Sequence, residues 1–123
     1  MLNQHQKLGQ SGEALARRHL IKKGYQILER NYRNRLGEID IIARENETLV
    51  FVEVKTRRSD RYGSPRLAIT AHKQKKLSIT ALAYLKQTRQ IDCKARFDVV
   101  LINAASRTPE IETIHNAFPL CYG

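Results

Sequence analysis

The chain has no tryptophan and only two cysteines, and aromatic residues fill just 7% of its 123 positions. Cys93 and Cys121 are far apart and belong to no CxxC or Cys/His spacing, so they are expected to be idle thiols rather than a disulfide framework. His5, His19, His72 and His115 form neither HxH nor HExxH, and no zinc site is expected. No apolar run approaches the roughly 20 residues of a spanning helix, and no charged-then-apolar leader opens the chain. A cytoplasmic location is therefore expected. Repeats, linkers and low-complexity runs are missing too, and 41% hydrophobic content suits one compact domain over residues 1–123.

Acidic residues are scarce: 12 Asp and Glu stand against 22 Lys and Arg, a formal net charge of +10. Such an excess favours a polyanion, because each neutralised phosphate releases condensed counterions. Nucleic acid is the expected partner. An acidic lipid surface is the rival, since the second helix begins with the basic run His72-Lys73-Gln74-Lys75-Lys76.

Residues 4–23 are good helix formers closed by Gly24, with Glu13 near the stripe that carries Ala16 and Leu20. Tyr25 to Tyr32 reads as a strand with Tyr25, Ile27 and Glu29 on one face. Arg33 and Arg35 follow in a polar turn where a phosphate backbone would pass. A basic loop runs from Lys55 to Arg66 and carries Arg57, Arg58, Arg61 and Tyr62. A helix from Leu67 or Thr70 to Thr88, a central strand from Arg96 to Ile102 and an edge strand from Pro109 to His115 complete the pattern. Asp98, lone acid of the central strand, is expected to cap or to pair with a basic side chain. The tail should pack Phe118 and Leu120 on the sheet.

Between the turn and the basic loop, Gly37 to Arg57 places charges inside two runs of β-branched residues separated by a short polar cluster, which predicts an antiparallel hairpin. Alternation puts Glu38, Asp40 and Ile42 on one face and Ile39, Ile41 and Ala43 on the other. A two-residue turn at Asn46-Glu47 would set Asp40 opposite Glu53 and Glu38 opposite Lys55. Directly opposed carboxylates destabilise a sheet unless a cation offsets them. Two readings stay open here: a divalent cation shared by Asp40 and Glu53, or a solvent-facing hairpin whose charges pair across the strands.

The D-x(12)-E-x-K pattern of Asp40, Glu53 and Lys55 resembles the PD-(D/E)xK nuclease superfamily. With Gly37-Glu38-Ile39-Asp40, Phe51-Val52-Glu53-Val54-Lys55-Thr56-Arg57 and Arg96-Phe97-Asp98-Val99, the chain more closely resembles the bacterial YraN family, UPF0102, related to archaeal Holliday junction resolvases. The likeness runs from Gly12-Glu13 through Val99. Ile39 stands where the superfamily name has proline, a position that is not a ligand. The resemblance implies an α/β fold with a restriction-endonuclease-like core. Its mixed sheet of about five strands would be flanked by helices in the order α-β-β-β-α-β-β, with the Arg96 strand parallel to the Glu53 strand.

It further implies Asp40 and Glu53 as ligands of Mg²⁺ or Mn²⁺ with the Val54 carbonyl, Lys55 as the activating cation, and Glu13 as a third, assisting acid. Lys73 or Lys76 matches a family lysine. The implied function is a metal-dependent endonuclease on DNA, with branched or flapped DNA as the substrate guess, acting as a monomer or homodimer. The alternative is a nucleic-acid-binding module that keeps the fold without turnover.

Overall fold

The computed structural model describes residues 4–57, 69–104 and 108–120, with side chains from residue 12 onward. The elements come in the expected order: α1 (Gln4–Lys22), β1 (Gln26–Asn34), β2 (Gly37–Glu45), β3 (Thr48–Arg57), α2 (Ala71–Gln87), β4 (Ala95–Asn103) and β5 (Glu110–Ile114). One mixed sheet runs β1-β2-β3-β4-β5, antiparallel except where β3 lies parallel to β4. Arg58, Arg61, Tyr62 and Cys121 lie outside the described residues.

Local chemistry explains where the helices stop and start. At the end of α1 the Tyr25 N–H donates to the Leu20 carbonyl and the Gly24 N–H to that of Ile21, each at 3.0 Å, while Gly24 takes φ +94°. That paired closure needs a left-handed residue, and glycine adopts it without a Cβ clash. The Thr70 hydroxyl caps α2 by accepting from the Lys73 N–H at 3.1 Å.

The helices cover opposite faces. On the α1 side, Ala16 and Leu20 pack with Tyr25, Ile41, Ala43, Val50, Val52, Val100 and Ile102. On the α2 side, Leu77, Ala81, Tyr84 and Leu85 pack with Ile39, Ile42, Leu49, Phe51, Phe97 and Val99. β3 and β4 are therefore buried on both faces, which is why they read as nearly continuous apolar runs. The tail docks as expected: the Ala117 N–H donates to the Phe97 carbonyl at 2.8 Å, and Phe118 stacks on Phe97 with centroids 4.6 Å apart.

Asp98 is fully buried and does pair with a basic side chain. Arg96 donates to it from Nε at 3.0 Å and from Nη2 at 3.3 Å, Tyr25 Oη at 3.1 Å and the Asn116 N–H at 2.9 Å, with His115 Nδ1 at 3.2 Å. Arg96 also reaches Glu45 at 2.7 Å and the Tyr25 hydroxyl at 2.9 Å. Burial beside this carboxylate pushes the Tyr25 phenol up to about 12. The cluster ties the residue that leads into β1 to β2, β4 and the segment after β5, a structural role for Asp98.

Candidate functional site

The hairpin has the register that a two-residue Asn46-Glu47 turn dictates, from Glu45↔Thr48 to Ile41↔Val52. Beyond Ile41 the recorded ladder ends. Asp40 therefore does not stand on a ladder rung with Glu53, as simple alternation predicts; its Oδ2 instead accepts the Val54 N–H at 2.8 Å. The cause lies one strand over. Asn31 takes φ +52°, and the β1–β2 register passes from Arg30↔Ile41 to Tyr32↔Ile39 across it. Ile41 packs on the α1 side, whereas Ile39 packs with Ile42 on the α2 side. The expected grouping of Ile39 with Ile41 and Ala43 is thus corrected: both strands change face at Asn31 and Asp40. A bulge between Ile27 and Glu29 does the same to Glu29, which lies opposite Ile42 rather than on the face of Ile27.

Glu38 is also corrected. Its partner is Arg33, paired with it on the β1–β2 ladder and ion-paired at 2.9 Å, not Lys55. Where β2 and β3 part, Glu53 is 8% exposed and Asp40 half-buried. Among the described residues no ion pair closes on either acid. Burial, then the Asp40 charge, pushes the Glu53 carboxyl up to about 7, with Lys73 and Lys55 pulling the other way. Burial also raises Asp40, opposed chiefly by the Val54 N–H and then by Lys73 and Lys55. The two acids and two lysines share one electrostatic environment at the open end of the hairpin.

Glu13 reaches the same region from α1. Burial and then the Asp40 charge raise its pKa, while Arg17 and Arg30 oppose them. With its amide nitrogen turned toward the carboxylate, Asn31 donates to Glu13 at 2.7 and 3.2 Å. Among the described residues no three His, Cys, Asp or Glu side chains form a group able to hold a metal ion. Glu13 is linked to the pair through the Asp40 charge. The sequence reading missed Asn31; the available signal was an asparagine, the commonest non-glycine residue in left-handed backbone, in the middle of a strand pattern.

Glycine sets how close each helix comes. A Cβ on Gly12 would strike the Thr56 side chain of β3, and one on Gly37 would lie 2.7 Å from Thr80 Oγ1 of α2. Gly12→Ala gains about 1 kcal/mol of helix propensity, but its methyl group forces α1 outward at a cost of roughly 1–3 kcal/mol. The expected result is a net loss in urea unfolding that Thr56→Ala suppresses in the double variant. Independent, additive effects of the two substitutions would contradict this contact.

Of the expected nucleic-acid contacts, Arg33, Arg35, Lys73 and Lys76 line a cleft of about 540 Å³ together with Leu36, Thr80 and others. One wall is the turn between β1 and β2, the other the first turns of α2. Among the described residues Glu38 is the only acid lining it. Lys73 connects the cleft to the carboxylates, because its charge acts on both Asp40 and Glu53. Arg57, at the end of β3, does not line this cleft.

A mixed five-stranded sheet between two helices, with β2 and β3 parting at a buried and a half-buried acid, defines an α/β class of protein with an acidic centre at a sheet fork. The chain belongs to the UPF0102 family: the model described as "Uncharacterised protein family UPF0102" matches residues 12–102. A UPF0102 protein of Geobacter metallireducens is 52% identical over 118 residues, covering 96% of this chain and 97% of its own. One from Desulfosudis oleivorans is 55% identical over 118 residues, covering 96% and 94%. One from Syntrophus aciditrophicus is 49% identical over 122 residues, covering 99% and 96%. No described helix is long and apolar enough to cross a membrane.

Proposed function

We propose that this protein is a divalent-metal-dependent endonuclease acting on DNA, branched or flapped forms included. The observation that carries the reading is the Asp40–Glu53 pair, two poorly solvated acids where β2 and β3 part, near enough for the Asp40 charge to raise the Glu53 carboxyl and for Lys73, which also lines the cleft with three other cations, to act on both. Two such acids repel, and a hard cation that takes carboxylate oxygens offsets the repulsion, so the donor set fits Mg²⁺ or Mn²⁺. Asp40, Glu53 and the Val54 carbonyl would hold the ion. When bound, it would polarise a phosphoryl oxygen and acidify a water.

The chain's own groups do the rest. The Val54 N–H keeps the Asp40 carboxylate aimed into the fork. Lys55 neutralises charge developing on the phosphorane, and Glu13, steadied by Asn31, assists from α1. Arg33, Arg35, Lys73 and Lys76 take phosphates along the cleft, and Arg57, Arg58 and Arg61 add to the net positive charge that favours a polyanion.

The test is incubation of the purified protein with single-stranded, duplex and four-way-junction DNA in Mg²⁺ or Mn²⁺. Cleavage is expected, and Asp40→Ala, Glu53→Ala and Lys55→Ala should each lower it by about a hundredfold or more. Cleavage that survives all three substitutions, or DNA binding without cleavage in either metal, would overturn the proposal; the second result would leave a binding module. Charge at the cleft gives a separate expectation. Lys73→Gln with Lys76→Gln should flatten the slope of log affinity against log salt by roughly 1.5 to 2, measured by fluorescence anisotropy.

A further inference from the structure

The cleft also bears on which form of nucleic acid reaches the acids. The turn Arg35-Leu36 that forms its outer wall is braced by the residues on either side of it. Asn34 Oδ1 accepts the Leu36 N–H at 2.8 Å, Asn34 Nδ2 donates to the Tyr32 hydroxyl at 3.1 Å, and that hydroxyl donates to Gln87 of α2 at 3.2 Å. The Tyr32 ring packs edge-on against Tyr84, centroids 5.2 Å apart. Gly37 sits against Thr80 with no room for a methyl group. The wall is held to α2 through Tyr32 and Gly37.

On this braced tip Leu36 is 41% exposed. It is one of three large hydrophobic side chains exposed among the described residues, with Ile21 and Ile91, and of these it alone lines the cleft. Arg33 and Arg35 flank it, and Lys73 and Lys76 face it from α2. The Arg33–Glu38 pair is open to solvent and gives little resistance to exchange for a phosphate.

Four cations around one projecting aliphatic group match a strand that offers phosphates and the face of an unpaired base. A paired duplex offers phosphates alone at this depth, since its bases are stacked on one another. Aliphatic side chains meet bases in this way where stacking is already broken or easily broken.

We infer that the cleft between the β1–β2 turn and α2 binds an unpaired stretch of DNA, with Leu36 against a base face and Arg33, Arg35, Lys73 and Lys76 on the backbone, Lys73 being the cation whose charge also reaches Asp40 and Glu53. The inference rests on the proposed nuclease site and names the strand form that site receives.

Its test is a binding experiment in Ca²⁺, followed by anisotropy, with three probes of matched sequence: a single strand carrying 2-aminopurine, a blunt duplex, and a four-way junction with every base paired. The single strand should bind roughly tenfold tighter than either paired probe at equal salt, with a change in 2-aminopurine emission. Leu36→Ser, on an exposed turn, should bring that ratio close to one and abolish the emission change while leaving the salt slope intact. Arg35→Gln should lower the slope by about 0.7 and keep the ratio. Equal or tighter binding of the blunt duplex or the paired junction overturns the inference, as does an unchanged ratio in Leu36→Ser. Failure here is distinct from failure of the nuclease reading: a protein that cleaves but prefers paired junctions loses only this inference, and one that grips single strands but never cleaves loses only the catalytic reading.

Discussion

Glu53→Gln should make the metal-free protein more stable at pH 8 while removing its cleavage activity. The Glu53 carboxyl is pushed from 4.5 up to about 7, first by burial and then by Asp40. Its folded-state pKa lies above its unfolded value, so the folded state binds the proton more tightly. The associated stability is fully present below about pH 4.5 and is lost as pH rises through about 7. A displacement of this size corresponds to about 3 kcal/mol, at roughly 1.4 kcal/mol for each pH unit. Glutamine mimics the protonated acid at every pH. Urea unfolding at pH 8 without metal should therefore favour the variant by roughly 2–3 kcal/mol, and at pH 4.5 the two proteins should nearly coincide. Adding Mg²⁺ at pH 8 should stabilise the wild type and not the variant. A variant no more stable at pH 8 than at pH 4.5, relative to wild type, would mean that Glu53 is better solvated than its 8% exposure indicates.

Arg96→Ala should be the most damaging single substitution for stability outside the apolar core. It removes two donors from the fully buried Asp98, together with the links to Glu45 and the Tyr25 hydroxyl. Deleting one partner of a buried pair leaves an uncompensated charge, and the usual cost is about 3–5 kcal/mol. Tyr25, Asn116 and His115 still face Asp98, which places the expectation toward the lower end of that range. Arg96→Lys should recover only part of the loss, because an ammonium cannot present the guanidinium's planar fork to two acids. The check is equilibrium urea unfolding at pH 7. A change under 1 kcal/mol would show that the remaining donors suffice and that Arg96 belongs to the surface rather than to the fold.

The two sites differ in how far they could be read before the fold was known. Period-2 patterning and the Asn46-Glu47 turn fixed the hairpin register, since Ile42↔Phe51 and Ala43↔Val50 follow from counting alone. Near-continuous apolar residues located β4 inside the sheet, and it does run parallel to β3 as the resemblance implies. The pairing of Asp98 with a cation was also legible, because a lone acid in such a strand needs one.

Face switching was not legible. It depends on the left-handed turn of Asn31 and on a bulge after Ile27, both local departures from the alternation used to assign sides. This is why Glu38 paired with Arg33 instead of Lys55, and why Ile39 moved to the α2 face. It is also why Asp40 met the Val54 N–H rather than a ladder partner. The cleft was half-legible: its arginines were named from their place before the acidic strand and its lysines from the basic run and the family resemblance, but the approach of Gly37 to Thr80 that closes it is a tertiary contact no local pattern encodes.

Calorimetric titration of Mn²⁺ into the metal-free protein tests the central claim most directly, because it needs no substrate. One ion per chain should bind at pH 8, and apparent affinity should fall on the order of thirtyfold by pH 5.5 as the Asp40–Glu53 pair takes up a proton. Asp40→Asn and Glu53→Gln should each abolish the heat. Binding of equal strength at both pH values, or a titration that survives both substitutions, would contradict the account.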